Sequence, residues 1–216
     1  MQNLESRISQ SAIALLTWFA LIGQFMLVID DRTGSVPSAV FFFFGFFTIL
    51  TNLLVAIAVT RLLLTPVGMK HYGFFARAGT MTAINVYMIV VFIIYNTILR
   101  PLVDLDGMAW IVDELLHLVI PILFFLYWWL FISRTHLQWK VIPSWLWYPL
   151  LYCVFLLIRG KSSGFYTYPF MNVDVLGYGK VIFNIALVLL LFLAISFLLV
   201  GLMKMRTRAT LGAPHR

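Results

Sequence analysis

Six long apolar stretches, separated by short polar or charged connections, run along the chain at residues 8–29, 39–64, 80–99, 109–133, 141–158 and 178–203. A hydrocarbon core of about 30 Å needs about 20 apolar residues per helix, so each stretch reads as one membrane crossing. Strands are excluded by the length and continuity of the runs. The pattern therefore predicts an all-α fold, a bundle of six transmembrane helices in a single domain spanning 1–216. The first stretch follows a polar start (Gln2, Asn3, Glu5, Arg7) and offers no small-residue cleavage site before Asp30. It is also longer than a signal-peptide core, and a retained helix is expected.

Composition agrees. The chain is 62% hydrophobic and only 11% charged, far from a soluble domain. Its charge sets an orientation. Counting connections alternately from the N-terminus, one side collects ten basic residues: Arg7, Arg61, Lys70, Arg77, Arg134, Lys140, Lys204, Arg206, Arg208 and Arg216. The other collects five: Arg32, Arg100, Arg159, Lys161 and Lys180. The positive-inside rule then places both termini in the cytoplasm, with 203–216 a basic cytoplasmic tail, in a multi-pass protein of the inner (cytoplasmic) membrane. Most acids (Asp30, Asp31, Asp104, Asp106, Asp113, Glu114, Asp174) fall towards the opposite side. The net charge of +7 matches contact with anionic membrane lipid. No basic patch is interleaved with exposed aromatics, so nucleic acid is not an expected partner. No internal repeat is evident, and the longest connection is about 19 residues, 159–177. Trp110, Trp128, Trp129, Trp139, Trp145 and Trp147 stand near proposed span ends, as interfacial belts do.

Against this background the intramembrane polar residues carry the chemistry, because hydrocarbon makes each of them costly without a partner or a use. His117 is the one histidine of four inside a span; His71, His136 and His215 fall in connections or the tail. It lies eight residues into the fourth span, about 12 Å at the helical rise. Thr48 lies nine residues into the second, about 13 Å from the same side. Gln24, Tyr95, Asn96 and Asn184 gather in that half of the bundle, and Thr51 and Asn52 continue the Thr48 face of the second helix. Asp113 and Glu114 precede His117 by four and three residues, within reach of its ring, and either can fix its tautomer. A plainer reading stands beside each. Membrane threonines commonly bond back to their own helix, and Asn52, Asn85, Asn96 and Asn184 serve equally as interhelical glue. The single cysteine, Cys153, reads as a small buried hydrophobe.

A hydroxyl beside an imidazole points to acyl transfer, with the base removing the proton from the alcohol. A bis-histidine haem would need a second membrane histidine and a zinc site more ligands, so no cofactor or metal is expected. The rival readings are a small transporter or lipid-binding protein without covalent chemistry, and a structural scaffold. The prolines well inside spans, Pro121 and Pro149, do not mark matching halves as paired broken helices would.

Three segments carry a resemblance: FFTILTNLL at 46–54, LLHLVIPILFF at 115–125 and GFYTYPFMNVDVLGYGKVIF at 164–183. In order and spacing they resemble the androgen-induced-gene and androgen-dependent TFPI-regulating protein family, especially its shorter bacterial relatives. Eukaryotic members are integral-membrane threonine hydrolases of fatty acid esters of hydroxy fatty acids. The resemblance implies Thr48, after Phe46 and Phe47, as nucleophile and His117, before Pro121, as base. Thr51, one turn deeper, is the alternative nucleophile. One of Asn96, Asn184 or Tyr95 is expected to stabilise an oxyanion, with Asp113 or Glu114 orienting the histidine. The substrate, a lipid or fatty acyl ester, is expected against Phe47, Asn52, Pro121 and Tyr168, the last with Pro169 in a lid-like loop.

Overall fold

A computed structural model of the chain describes residues 4–66, 73–132 and 137–211, with side chains described up to 207. Lys70, His71, Arg134, His136, His215 and Arg216, placed above in connections and the tail, lie outside the described residues, as does the end of the predicted fourth span at Ser133. The described residues are mostly helical, joined by short turns, with no strand among them. Five helical segments are long and apolar enough to cross a membrane, and a sixth arises if one sharply bent pair counts as a single crossing. The chain falls into two compact units, Met1–Ser133 and Arg134–Arg216, taken in turn below.

The first unit is built on α1 (Leu4–Asp30), followed by α2 (Val36–Phe43), α3 (Phe47–Leu63), α4 (Ala78–Ile94), α5 (Gly107–Glu114) and α6 (Ile120–Phe131). Helix α1 is the spine, packing along α3, α5 and α6. Polar pairs set its register. The Gln10 amide donates to the Tyr127 hydroxyl at 2.8 Å, and Trp18 Nε1 donates to Thr60 Oγ1 at 3.1 Å. Gly23 permits a close approach to α5, since a Cβ there would lie 2.9 Å from Val112 Cγ2. On the far side of α6, Trp128 is fully buried and donates Nε1 to Thr82 Oγ1 at 2.8 Å. Trp128 is thus an interior hydrogen-bonding residue rather than part of an interfacial belt; only the indole N–H of an otherwise apolar side chain needs a partner there.

The second predicted span, 39–64, is corrected by the structure: it is two helices, α2 and α3, bent by 78° at Phe44–Phe46. After Phe43 the chain tightens, with Gly45 N bonding Phe42 O at 3.0 Å, and Phe46 turns extended (φ −100, ψ 129) before α3 begins. Phenylalanine packing holds the corner. Phe43 sets its ring edge-on against Phe25 of α1 at 5.3 Å, and Phe42 against Phe46 at 5.0 Å. Such edge-to-face pairs each add about 0.5–1.5 kcal/mol beyond their burial.

In the second unit, α7 (Ile142–Trp145) and α8 (Trp147–Ser163) precede a 3-10 turn, Pro169–Met171, and the long α9 (Val173–Leu211). Arg159, expected in a connection, lies inside α8 and is buried, its Nη1 donating to Thr167 Oγ1 at 3.2 Å and its guanidinium 5.3 Å from the Phe165 ring. A long cationic side chain is tolerated there because its own following loop folds back to partner it. Trp145 is also buried, unlike the exposed Trp139 and Trp147. Helix α8 ends at Gly164 (φ 69), and the sixth predicted span begins earlier than expected, at Val173, with a break at Gly177 (φ 74).

Gly160 is the tightest position in this unit, since a Cβ there would fall 2.0 Å from the Tyr166 ring. Gly160→Ala is expected to lower stability by about 1–3 kcal/mol through overpacking. In a Tyr166→Ala background the same change should cost almost nothing; thermal unfolding of the four proteins in detergent would show an additive pair if the contact is unimportant.

Candidate functional site

The helix that carries His117 is interrupted by one π-helical turn, Leu115–Val119, where the Ile120 N–H reaches back five residues to Leu115 O. Residue 121 would supply the next donor in that ladder. It is proline and has none, so the carbonyls four and five residues before it, His117 and Leu116, lose a main-chain partner. Two asparagines from other helices replace it. Asn52 of α3 donates Nδ2 to Leu116 O at 3.3 Å, and Asn96 donates Nδ2 to His117 O at 3.1 Å. Asn96 itself sits in a second π turn, Tyr95–Leu99, at the end of α4. Single π turns inside α-helices concentrate at functional sites.

These two turns bring the histidine into a compact cluster. The Tyr95 ring stacks on His117 with centroids 3.5 Å apart and planes within 8°. His117 Nδ1 lies 3.0 Å from Asp113 Oδ1 and 3.0 Å from Asp113 O. Both are acceptors, so Nδ1 carries a proton and Nε2 is the ring nitrogen left without a partner among the described residues. The Tyr95 hydroxyl donates to the same Asp113 Oδ1 at 2.5 Å. Of the two acids considered from sequence, Asp113 therefore holds the imidazole, while Glu114 forms a 2.6 Å ion pair with Arg100. The Arg100 guanidinium lies 5.9 Å from the Tyr95 ring centroid, over its face. His117 and Asp113 side chains are only 12% and 14% exposed, so their interaction is little screened.

Thr48 occupies the first turn of α3, just after the corner, and is buried. Asn52 ties this turn to the histidine turn, because its Nδ2 also donates to Thr48 O at 2.9 Å. Among the described residues no hydrogen bond joins the Thr48 hydroxyl to the imidazole. Thr51, one turn on, is wholly buried and its Oγ1 has no partner; the same holds for Asn52 Oδ1 and for both polar atoms of Asn85. Phe47 sets its ring edge-on to Tyr87 at 6.3 Å. In the second unit, Asn184 donates to Phe170 O at 2.8 Å, and Tyr168 stacks on Phe170 at 5.4 Å in the loop that includes Pro169.

Of the predicted site residues, the structure brings together Tyr95, Asn96, Asp113, His117 and Pro121, and links Thr48 to them through Asn52. Arg100 is the member that sequence reading missed, because it was counted as a loop charge. The Pro121 spacing, four residues after His117, carried the signal for the freed carbonyls. No family model, curated protein or solved structure matches the chain.

Asn96→Leu leaves the His117 carbonyl without a donor and is expected to cost about 1–3 kcal/mol. Pro121→Ala restores a ladder donor, so the double variant should recover part of that loss. Denaturant unfolding in detergent decides it, and strictly additive penalties would dissociate Asn96 from the proline.

Proposed function

We propose that this protein is an integral-membrane lipid ester hydrolase that uses Thr48 as nucleophile and His117 as base, acting on fatty acid esters of hydroxy fatty acids or similar acyl esters. The observation that carries the reading is the Asp113–His117–Tyr95 cluster. A carboxylate on Nδ1 fixes the tautomer and orientation of an imidazole whose Nε2 is then a base, the arrangement that activates hydroxyl nucleophiles on unrelated folds.

The chemistry follows in balanced steps. His117 Nε2 takes the proton of Thr48 Oγ1 as that oxygen bonds to the acyl carbon, and the carbonyl electron pair moves onto its oxygen. Collapse of this oxyanion breaks the bond to the alcohol, which leaves with the proton from the imidazolium. Nε2 then accepts a proton from water, whose oxygen attacks the threonyl ester; the acid departs and Thr48 regains its proton. Catalytic hydrogen bonds often tighten only with substrate in place, so the open Thr48–His117 arrangement is compatible with this path.

The oxyanion needs donors whose protons are available. Both N–H bonds of Asn96 are engaged, on Phe92 O and His117 O, and the Tyr95 hydroxyl donates to Asp113. The start of α3 offers an alternative. Its N-cap, Phe46, makes no side-chain cap bond, and the N–H groups of Thr48 and Ile49 stand in the helix's first turn, where no intrahelical acceptor exists. Donors preorganised at such a place lower a barrier by about 3 kcal/mol each.

The broken α2–α3 pair favours a second reading, a lipid carrier without covalent chemistry, since interrupted helices build many transport sites. The two readings part on one experiment. With a fatty acid ester of a hydroxy fatty acid in detergent, Thr48→Ala and His117→Ala should abolish turnover, and Asp113→Asn should lower it by about 10² or more. Hydrolysis that persists in both of the first two variants leaves only the carrier; loss in Thr51→Ala instead of Thr48→Ala moves the nucleophile by one turn. A fluorophosphonate probe should label the wild type and not Thr48→Ala.

A further inference from the structure

At the corner where α1 ends and α2 begins lies a cavity of about 520 Å³, within the range of small-molecule sites. Its lining is graded. Phe42 and Phe46 form an apolar wall, Gln24 of α1 stands among apolar neighbours, and Asp31, Arg32 and Ser38 form a polar rim. A neighbouring cavity of about 300 Å³ differs, being walled by aromatic and aliphatic side chains such as Ile22, Phe44 and Leu53. That one offers nothing to orient a ligand.

Gln24 is half-buried, and among the described residues its amide has no hydrogen-bond partner. An unpartnered amide lining a cavity within an apolar helix has bonding capacity left for a ligand. At the rim, Arg32 uses one guanidinium nitrogen on Ile29 O, which anchors the side chain over the end of α1 and leaves further N–H donors for an anionic oxygen. The apolar wall ends at Phe46, which is the N-cap of α3 and stands two residues before Thr48.

We infer that this cavity binds a single-chain amphiphile with an anionic oxygen group at one end: the charged end at Arg32, a carbonyl or hydroxyl oxygen on Gln24, and the chain along Phe42 and Phe46. The position of Phe46 makes it the recognition site for the substrate's polar end, a role that rests on the hydrolase reading; the binding itself does not.

Binding is therefore tested without turnover. In a Thr48→Ala background, titration calorimetry in detergent would use an ether analogue of a fatty acyl ester carrying a terminal carboxylate, and the same analogue as its methyl ester. Arg32→Gln should weaken the carboxylate about tenfold and leave the methyl ester unchanged. Gln24→Leu should weaken both. Ser38→Trp should fill the cavity and abolish both; Ser38 is exposed and, among the described residues, its hydroxyl makes no hydrogen bond, so the fold tolerates the change. Gly34→Phe is an independent block, since a Cβ there meets nothing closer than Ser38 Oγ at 3.7 Å. If both blocked variants bind the analogues like the parent, the cavity is not the site. If Arg32→Gln weakens the two analogues equally or not at all, the charged end is not held at Arg32. Should Thr48→Ala retain hydrolysis while the blocked variants lose binding, the catalytic reading fails and this one stands.

Discussion

Two carbonyl oxygens without a main-chain partner, Leu116 O and His117 O, constrain the first unit more than any other feature. In a membrane there is no bulk water to satisfy a freed carbonyl, so the protein must supply a donor from elsewhere. It does so twice, from two different helices, through Asn52 and Asn96. Each bond is modest by itself, but an orphaned carbonyl in this setting costs about 1–3 kcal/mol. The three helical segments are thereby locked around the residue that bears the imidazole. Proline 121 is the cause, and the π turn is its structural expression.

The charged groups around His117 are partnered locally. Arg100 faces Glu114, and Asp113 receives both His117 Nδ1 and the Tyr95 hydroxyl. Tyr95 links the two pairs, its face stacked on the imidazole and within reach of the Arg100 cation. A ring held by a carboxylate on one edge and an aromatic on its face has little freedom to rotate, and a base must be held this way to be ready before substrate arrives. The polar atoms of Thr51 and Asn85 are the counter-case: buried, unpartnered, and not drawn into the network. Buried polar atoms of this kind are rare in native structures, which is a reason to look for function rather than stability in that part of α3 and α4.

Much of this was legible from hydrophobic patterning. The existence and approximate extent of the apolar helices followed from run length alone, as did the segregation of His117, Asn96, Tyr95 and Asp113 into one region. What escaped was decided by packing and by single main-chain bonds. The corner at Phe44–Phe46 is invisible to hydropathy because every residue around it is apolar; it depends on which phenylalanine ring meets which, as with Phe25 and Phe43. Trp128 and Arg159 were misplaced because composition assigns indoles and guanidiniums to interfaces and loops, whereas a single partner, Thr82 or Thr167, makes burial affordable. The π turn at Leu115–Val119 lay in principle within reach, through the missing N–H of Pro121, but only once its ladder partners were counted.

Asn52 shows how these strands of evidence meet. Both of its N–H bonds are engaged, one on Thr48 O in its own helix and one on Leu116 O in the π turn before α6. One amide group therefore ties the Thr48 turn to the histidine turn directly, in addition to the packing of α3. A donor with two acceptors holds all three groups at once. The corner before α3 serves the same end: a straight helix through 39–64 would have continued the ladder past Thr48 and engaged the N–H groups of its turn. By breaking at Phe46 the chain opens those donors at the residue whose hydroxyl is proposed to react, and Asn52 then holds that opened turn against the imidazole helix.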